Sequence, residues 1–109
     1  MLETLPQPVI AAVHGHCYTG ALEVALAADF IIAADNAKFG DTHAKWALTP
    51  IWGMSQRLPR RVGIATAKRL MFTAEMIGAA EALRIGLAEQ VVPAAEFDES
   101  IETMARQIL

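Results

Sequence analysis

Short apolar blocks separated by polar turns run along this chain, and their lengths predict alternating strands and helices. Residues 9–13 and Phe30–Ala34 are continuous apolar runs of strand length, as expected for strands buried on both faces. Lys38–Gly40 is a shorter strand candidate, and residues 87–92 form another before a proline. Because no repeat, low-complexity segment or linker interrupts the pattern, the chain is predicted to be one α/β domain.

Helices are predicted where small or amphipathic stretches replace these apolar runs. The predicted helices cover residues 23–28, residues 52–62, residues 65–71 and residues 78–85. Gly86 follows the last of them in the manner of a C-terminal cap. Residues 41–50 are predicted to be an irregular loop, since the Thr-Pro pair at the end of this stretch disfavours helix.

The end of the chain carries an amphipathic stripe. Phe97, Ile101, Met104 and Ile108 recur at helical spacing, which predicts a helix with one apolar face. Such a face needs a partner surface, and we expect further residues of a longer protein or another subunit to cover it.

Composition narrows the function classes. Hydrophobic residues make up 54% of the 109 residues, and the formal net charge is −3. The apolar runs are too short to cross a bilayer, and mild acidity does not favour nucleic acid. Cys17 is the only cysteine, which excludes an intrachain disulfide, and the first residues lack the pattern of a secretory signal. We therefore expect a cytoplasmic protein with neither a membrane nor a nucleic-acid partner.

Gly20 and Glu23 form the most informative pair of residues for chemistry. If Gly20 lies at the start of a helix, its N–H has no partner within that helix and points toward any oxygen that gains negative charge. Glu23 lies three positions on, on the same face, at about 5 to 6 Å between side-chain stems. The Gly20 amide could then hold a substrate carbonyl while the Glu23 carboxylate moves a proton on a neighbouring carbon. Enolate chemistry needs this pairing. The same spacing also fits a structural alternative, in which Gly20 is a helix N-cap and Glu23 its capping partner.

Several separated motifs carry a family resemblance. They are PVIAAVHG at residues 8–15, GALEVALAAD at residues 20–29, AKFG at residues 37–40, QRL at residues 56–58, TAE at residues 73–75 and GLAEQVV at residues 86–92. Together they resemble the crotonase (enoyl-CoA hydratase/isomerase) family, and the match covers nearly the whole chain.

The resemblance implies an architecture and an assembly. The expected fold is α/β, a partial crotonase-like spiral of repeated ββα units. Family members are more than twice as long as this chain, so residues 1–109 are expected to be the central part of such a domain, with its N- and C-terminal portions missing. The full-length protein is expected to form a homotrimer or hexamer. No metal and no separate cofactor are implied, because coenzyme A is part of the substrate.

The resemblance also assigns roles to three residues. It places Gly20 in the oxyanion hole and Glu23 on one of two catalytic glutamates. His43 occupies the position of the second glutamate, and a histidine titrates near neutrality, so it is a candidate catalytic residue in that place. The alternative is a loop histidine held in a local turn by Asp41 or Thr42.

The implied function is that of an enzyme segment acting on acyl-CoA thioesters. The reaction is expected to be enoyl-CoA hydration or isomerisation through an enolate that the oxyanion hole stabilises. The alternative, from another class, is a catalytically silent segment of the crotonase scaffold that serves binding or oligomerisation. The truncated length and the histidine at residue 43 motivate this alternative.

Two further clusters invite other interpretations. His14, His16 and Cys17 lie close together in sequence, and such ligands bind transition metals, but the spacing is not that of a recognised zinc site. A cluster of three arginines could bind phosphate groups, because guanidinium groups match phosphate oxygens; its members are Arg57, Arg60 and Arg61. We expect pocket-shaping loop residues in the first case and a solvated helix end in the second.

Overall fold

The structure, a computed structural model, describes residues 4–40 and 54–109, and within these ranges the chain forms six short strands and five α-helices. The strands are β1 (Ile10–Val13), β2 (His16–Tyr18), β3 (Phe30–Ala34), β4 (Lys38–Gly40), β5 (Met76–Gly78) and β6 (Gln90–Val92). The helices are α1 (Gly20–Leu26), α2 (Met54–Val62), α3 (Ile64–Thr73), α4 (Ala79–Arg84) and α5 (Phe97–Ile108), the last preceded by a 3-10 turn at Ala94–Glu96. The predicted α/β class is confirmed.

The first sheet is parallel and has the order β1-β3-β6. Ile10 pairs with Phe30, and Ile32 pairs with Gln90, so β3 is the central strand. Its last four residues are buried, which explains why β3 is an unbroken apolar run rather than an alternating one.

The second sheet has the order β2-β4-β5, with β2 and β4 parallel and β5 antiparallel to β4. β2 and β5 were not predicted from the sequence, and His16 and Cys17 were expected in a loop. Each of these strands has only three residues, too few for an apolar alternation to stand out. Their pairing with β4 defines them, and pairing is a property of the tertiary structure.

The chain alternates between the two sheets as it proceeds. β1 joins the first sheet and β2 the second, and α1 follows; β3 then joins the first sheet and β4 the second, with α2 as the next described element. The described elements of these first two turns therefore follow the order ββα, as expected from the family resemblance, whereas β5 and β6 are separated by α4.

The core lies on both sides of β3. Ile31 and Ala33 belong to a large cluster with residues of α1, β4, α2 and α3, and Ile32 and Ala34 belong to a smaller cluster beneath α5. The largest fully buried apolar side chains are Phe39, Leu22, Ile31, Ile32, Leu58 and Leu87. Burial of such side chains is the main source of stability in the fold.

The apolar stripe of α5 packs within the chain over most of its length, contrary to the expectation that it would await another partner. Phe97 is buried against the smaller cluster, and Ile101 and Met104 pack beside it. Only at its far end is the stripe open, where Ile108 is 40% exposed. β3 and β6 supply the surface, and their approach to α5 could not be read from helical spacing.

The segment between α4 and β6 is folded differently from the predicted strand at residues 87–92. The N–H groups of Leu87 and Ala88 donate to the carbonyl of Ala82 at 2.9 and 3.1 Å, so they close the helix instead of joining a sheet. The strand begins only at Gln90. Gly86 makes the reversal with φ +86°, which confirms the predicted C-terminal cap.

We predict that Gly86→Ala destabilises the protein more than Gly15→Ala does. Both glycines have positive φ, at +86° and +66°, so each alanine incurs about 1 to 2 kcal/mol of backbone strain. A Cβ at Gly86 would also lie 3.3 Å from the carbonyl oxygen of Arg61, whereas none of the described atoms lies within 4 Å of a Cβ at Gly15. Urea denaturation of both variants measures the difference, and equal losses would contradict the prediction.

Candidate active site

The site lies at the edge of the second sheet where β2 and β4 end. These strands are parallel, and Tyr18 pairs with Gly40, so the chain leaves both strands at the same edge. The Thr19 N–H donates to the Gly40 carbonyl at 3.0 Å, which fixes the start of α1 against the end of β4. The segment that contains His43 begins at this point.

Gly20 is the first residue of α1, and Thr19 is the N-cap. The hydrogen bond from the Glu23 N–H to the Thr19 carbonyl, at 2.9 Å, closes the first turn. Gly20 is therefore not the N-cap, and a capping box built on it is not the arrangement that forms. The N–H groups of a first helical turn point away from the helix, so the position of Gly20 suits a donor to an external oxygen.

Glu23 is the only charged residue that is fully buried in the part of the chain that the structure describes, with 1% of its surface exposed. Leu22, Ala25 and Leu26 of the same helix are also buried. Removing a carboxyl group from water costs free energy, and proteins keep such groups chiefly where a specific interaction or chemistry uses them. Its burial therefore supports Glu23 as a functional residue.

Thr19 holds a strained backbone directly before Gly20. Its φ is +50° and its ψ is −111°, a conformation that a β-branched residue rarely adopts. Strain of this kind typically amounts to about 1 to 3 kcal/mol and concentrates at functional sites. Thr19 was not among the residues predicted from the sequence, although its position directly before a candidate helix-start glycine was a visible signal.

His43 lies outside the described residues, as does the rest of the predicted loop at residues 41–50. Of the three candidate residues, the structure thus describes Gly20 and Glu23 and brings them together on the first turn of α1. The role of His43 stays a prediction from the sequence.

The neighbouring His14, His16 and Cys17 do not converge. Cys17 is buried in the core, and burial raises the pKa of its thiol from 9.0 to about 11. His16 is exposed on the opposite face of β2, where Nδ1 lies 2.7 Å from the Tyr18 hydroxyl, and the His14 ring packs edge-on against Phe97. Within residues 4–40 and 54–109, no three potential metal ligands come together.

The arginine cluster also separates. Arg60 is exposed, but Arg61 turns inward and donates to Glu89 and to the carbonyl of Ala28. The expectation of a solvated helix end therefore fails for Arg61, because the Ala28 carbonyl, just beyond α1, and the Glu89 carboxylate, just before β6, accept its hydrogen bonds. Sequence spacing carried no signal for these partners, which are distant along the chain.

The chain belongs to the enoyl-CoA hydratase/isomerase family, whose model matches residues 1–109. It is 46% identical over 109 residues to crotonyl-CoA hydratase of Syntrophomonas wolfei, covering all of this chain and 42% of that protein. It is 45% identical over 108 residues to short-chain-enoyl-CoA hydratase of Clostridium acetobutylicum, covering 99% of this chain and 41% of that protein. The family resemblance is confirmed, and the chain spans about two fifths of the length of these curated relatives.

Solved structures share the fold. The chain superposes on an enoyl-CoA hydratase from Bacillus anthracis with a TM-score of 0.96 and 45% identity, over 98% of this chain and 42% of that one. An enoyl-CoA hydratase from Mycobacterium avium gives a TM-score of 0.92 and 45% identity, over 95% of this chain and 46% of that one. The expected crotonase-like α/β fold is thereby confirmed for this segment.

Among the described residues, no helix combines the length and the apolar character that crossing a bilayer requires.

We predict that Thr19→Gly raises the free energy of unfolding by about 1 kcal/mol, because glycine adopts this backbone without steric strain. Ala74→Gly is the matched control: Ala74 also has positive φ, at +54°, but with ψ +26° it sits in the ordinary left-handed region. The gain at Thr19 should exceed the gain at Ala74 in urea denaturation. A loss of stability in Thr19→Gly would show that the strain assignment is wrong.

Proposed function

We propose that the protein containing this chain is an enoyl-CoA hydratase or isomerase, and that Gly20 and Glu23 act in its catalytic centre. The observation that carries the proposal is the fully buried Glu23 carboxyl on the first turn of a helix that begins at Gly20. The names of the relatives support the reaction class, since they are a crotonyl-CoA hydratase, a short-chain-enoyl-CoA hydratase and a carnitinyl-CoA dehydratase of Escherichia coli.

The Gly20 N–H donates to the thioester carbonyl oxygen of the substrate in this proposal. Negative charge develops on that oxygen as an enolate forms, and a fixed donor stabilises it without having to reorient during the reaction. Removing one such donor in other enzymes lowers kcat by about 100-fold to 1000-fold.

Glu23 transfers the proton. In hydration, the oxygen of water bonds to the β-carbon, one proton of that water goes to a base, and the α-carbon of the enolate takes up a proton. In isomerisation, Glu23 removes a proton from one carbon and returns it to another, so that a single carboxylate suffices. A buried carboxylate beside the oxyanion donor is suited to both reactions.

His43 is the proposed second acid/base group. Its segment starts at Gly40, whose carbonyl accepts the Thr19 N–H, so the chain enters this segment beside the start of α1. Imidazole both donates and accepts protons near neutral pH, so His43 and Glu23 would together hydrogen-bond the reacting water and move its protons.

The remaining expectations are proposals about the whole protein. Its substrate is an acyl-CoA thioester, and coenzyme A enters as part of that substrate, so no separate cofactor is needed. Residues 1–109 form a central part of the catalytic domain, and the full-length protein assembles as a homotrimer or hexamer in the cytoplasm. The partial coverage of the relatives supports the statement that residues 1–109 are part of a longer domain.

The second candidate function is a catalytically silent scaffold segment, favoured by the histidine at residue 43. The two functions are separated by a thermal-shift titration with crotonyl-CoA beside a hydration assay. Stabilisation by the ligand together with turnover supports the enzyme. Stabilisation without turnover of any ester in a panel of acyl chains supports the scaffold.

We predict that Glu23→Gln lowers kcat by at least about 100-fold, because the amide cannot accept a proton, while the affinity for crotonyl-CoA changes little. The measurement is steady-state hydration of crotonyl-CoA together with equilibrium binding. The matched control is Glu102→Gln, in which an exposed glutamate of α5 paired with Arg106 is changed. Unchanged turnover in Glu23→Gln would remove Glu23 from the mechanism.

We predict that His43→Gln flattens one limb of the dependence of kcat/KM on pH. A group that titrates near neutrality is then missing, whereas glutamine keeps a side chain of similar polarity. The control is His16→Gln, since His16 lies on the outer face of β2. Identical pH profiles for the wild type and His43→Gln would contradict the prediction and leave Glu23 as the single acid/base group, which suffices for an isomerase.

A further inference from the structure

We propose that Arg61 is a positioning residue, which holds α1 and therefore Glu23 in the geometry required for proton transfer. The proposal rests on the proposed function for its catalytic part, and on the structure alone for its mechanical part. Arg61 lies on α2 and does not belong to the Gly20 and Glu23 constellation.

The guanidinium of Arg61 joins three parts of the chain. Its Nη2 donates to the Ala28 carbonyl at 2.7 Å, just beyond the end of α1, and its Nη1 donates to Glu89 Oε1 at 2.8 Å. The other carboxylate oxygen of Glu89 accepts the Ile31 N–H at 2.5 Å, and the Glu89 N–H donates to the Ile31 carbonyl at 2.9 Å. Arg61 and Glu89 thus tie α2 to the end of α1 and to the central strand β3. We call this set of contacts the Arg61 clamp.

An arginine is required for this arrangement. The planar fork of a guanidinium directs separate N–H groups at acceptors in two directions, whereas a lysine ammonium is a compact point charge on a flexible stem. The Arg61 side chain is 14% exposed, so water competes weakly for these contacts. Arg61 is therefore placed to hold α2 against Ala28 and Glu89, whereas exposed arginine ion pairs usually contribute little to stability.

Helix α1 depends on such external contacts. It has seven residues, fewer than a helix needs to be stable by itself. Its outer face is open, since Val24 is 51% exposed. The Thr19 N–H bond to Gly40 anchors one end, and the Arg61 clamp anchors the other at Ala28. Rotation or sliding of α1 is therefore resisted at both ends.

Ala28 lies two residues beyond the last residue of α1 and stays bonded to that helix, because its N–H donates to the Ala25 carbonyl at 3.1 Å. A displacement of Ala28 therefore acts on the helix that carries Glu23. A misplacement of about 1 Å at a reacting group lowers turnover by about 100-fold.

The kinetic test compares Arg61→Lys and Arg61→Gln with the same changes at the exposed neighbour Arg60 in the full-length protein. We expect both Arg61 variants to lower kcat for crotonyl-CoA by about tenfold or more, with KM changed by at most about twofold. The Arg60 variants should retain wild-type kcat. A kcat for Arg61→Lys within about twofold of the control would overturn the proposal. A loss of kcat fully accounted for by a smaller folded fraction, measured by circular dichroism, would overturn it too.

The mechanical test needs no turnover. We expect amide hydrogen exchange in residues 20–28 and at Ile31 to be faster in both Arg61 variants than in the Arg60 variants, while α5 exchanges at an unchanged rate. Equal exchange in α1 would overturn the clamp even if kcat fell. If the wild-type protein hydrates or isomerises no acyl-CoA, the proposed function fails. Amide hydrogen exchange in α1, compared between the Arg61 and Arg60 variants, then still decides whether the clamp holds this helix.

Discussion

The parallel pairing of β2 with β4 is the constraint on which the candidate site depends. Tyr18 faces Gly40 across the pair, and the Thr19 N–H bond to Gly40 extends the contact by one step beyond the strands. Parallel strands deliver both chain ends to one edge, so the helix that carries Glu23 and the segment that carries His43 start side by side. The shortness of these strands makes the register important, because a slip by one residue would turn Cys17 outward and His16 into the core.

The site contains two features that oppose folding, and the rest of the chain offsets them. Thr19 holds an unfavourable backbone, and Glu23 carries a carboxyl group that folding removes from water. Large apolar residues on both sides of β3 supply the opposing stabilisation. The placement of both unfavourable features on one helix start fits the general pattern in which a stable scaffold supports a strained functional segment.

Sequence reasoning succeeded where one residue run decided the structure. The bounds of β3 and β4 were predicted to the residue, since each is an apolar or short mixed run between turn residues. The break between the helices predicted over residues 52–62 and 65–71 and the cap at Gly86 were also predicted, and Gly63 and Gly86 have the positive φ that such breaks use. Part of the candidate site could also be predicted from the sequence, because the spacing of Gly20 and Glu23 indicates the pair. The backbone strain at Thr19 could not be predicted, because a backbone angle there depends on where the neighbouring strand lies.

The amino-acid sequence by itself determined the family, the α/β alternation and the candidate pair on α1, because these follow from local patterns and from motifs that are contiguous in the chain. Only the tertiary structure decided that residues 16–18 and 76–78 are strands, that α5 is covered by β3 and β6, and that Arg61 reaches Ala28 and Glu89. The physical reason is the same in each case. Hydrogen bonds and contacts between residues 20 or more positions apart depend on how the elements are arranged in space, and a local pattern contains no information on that arrangement.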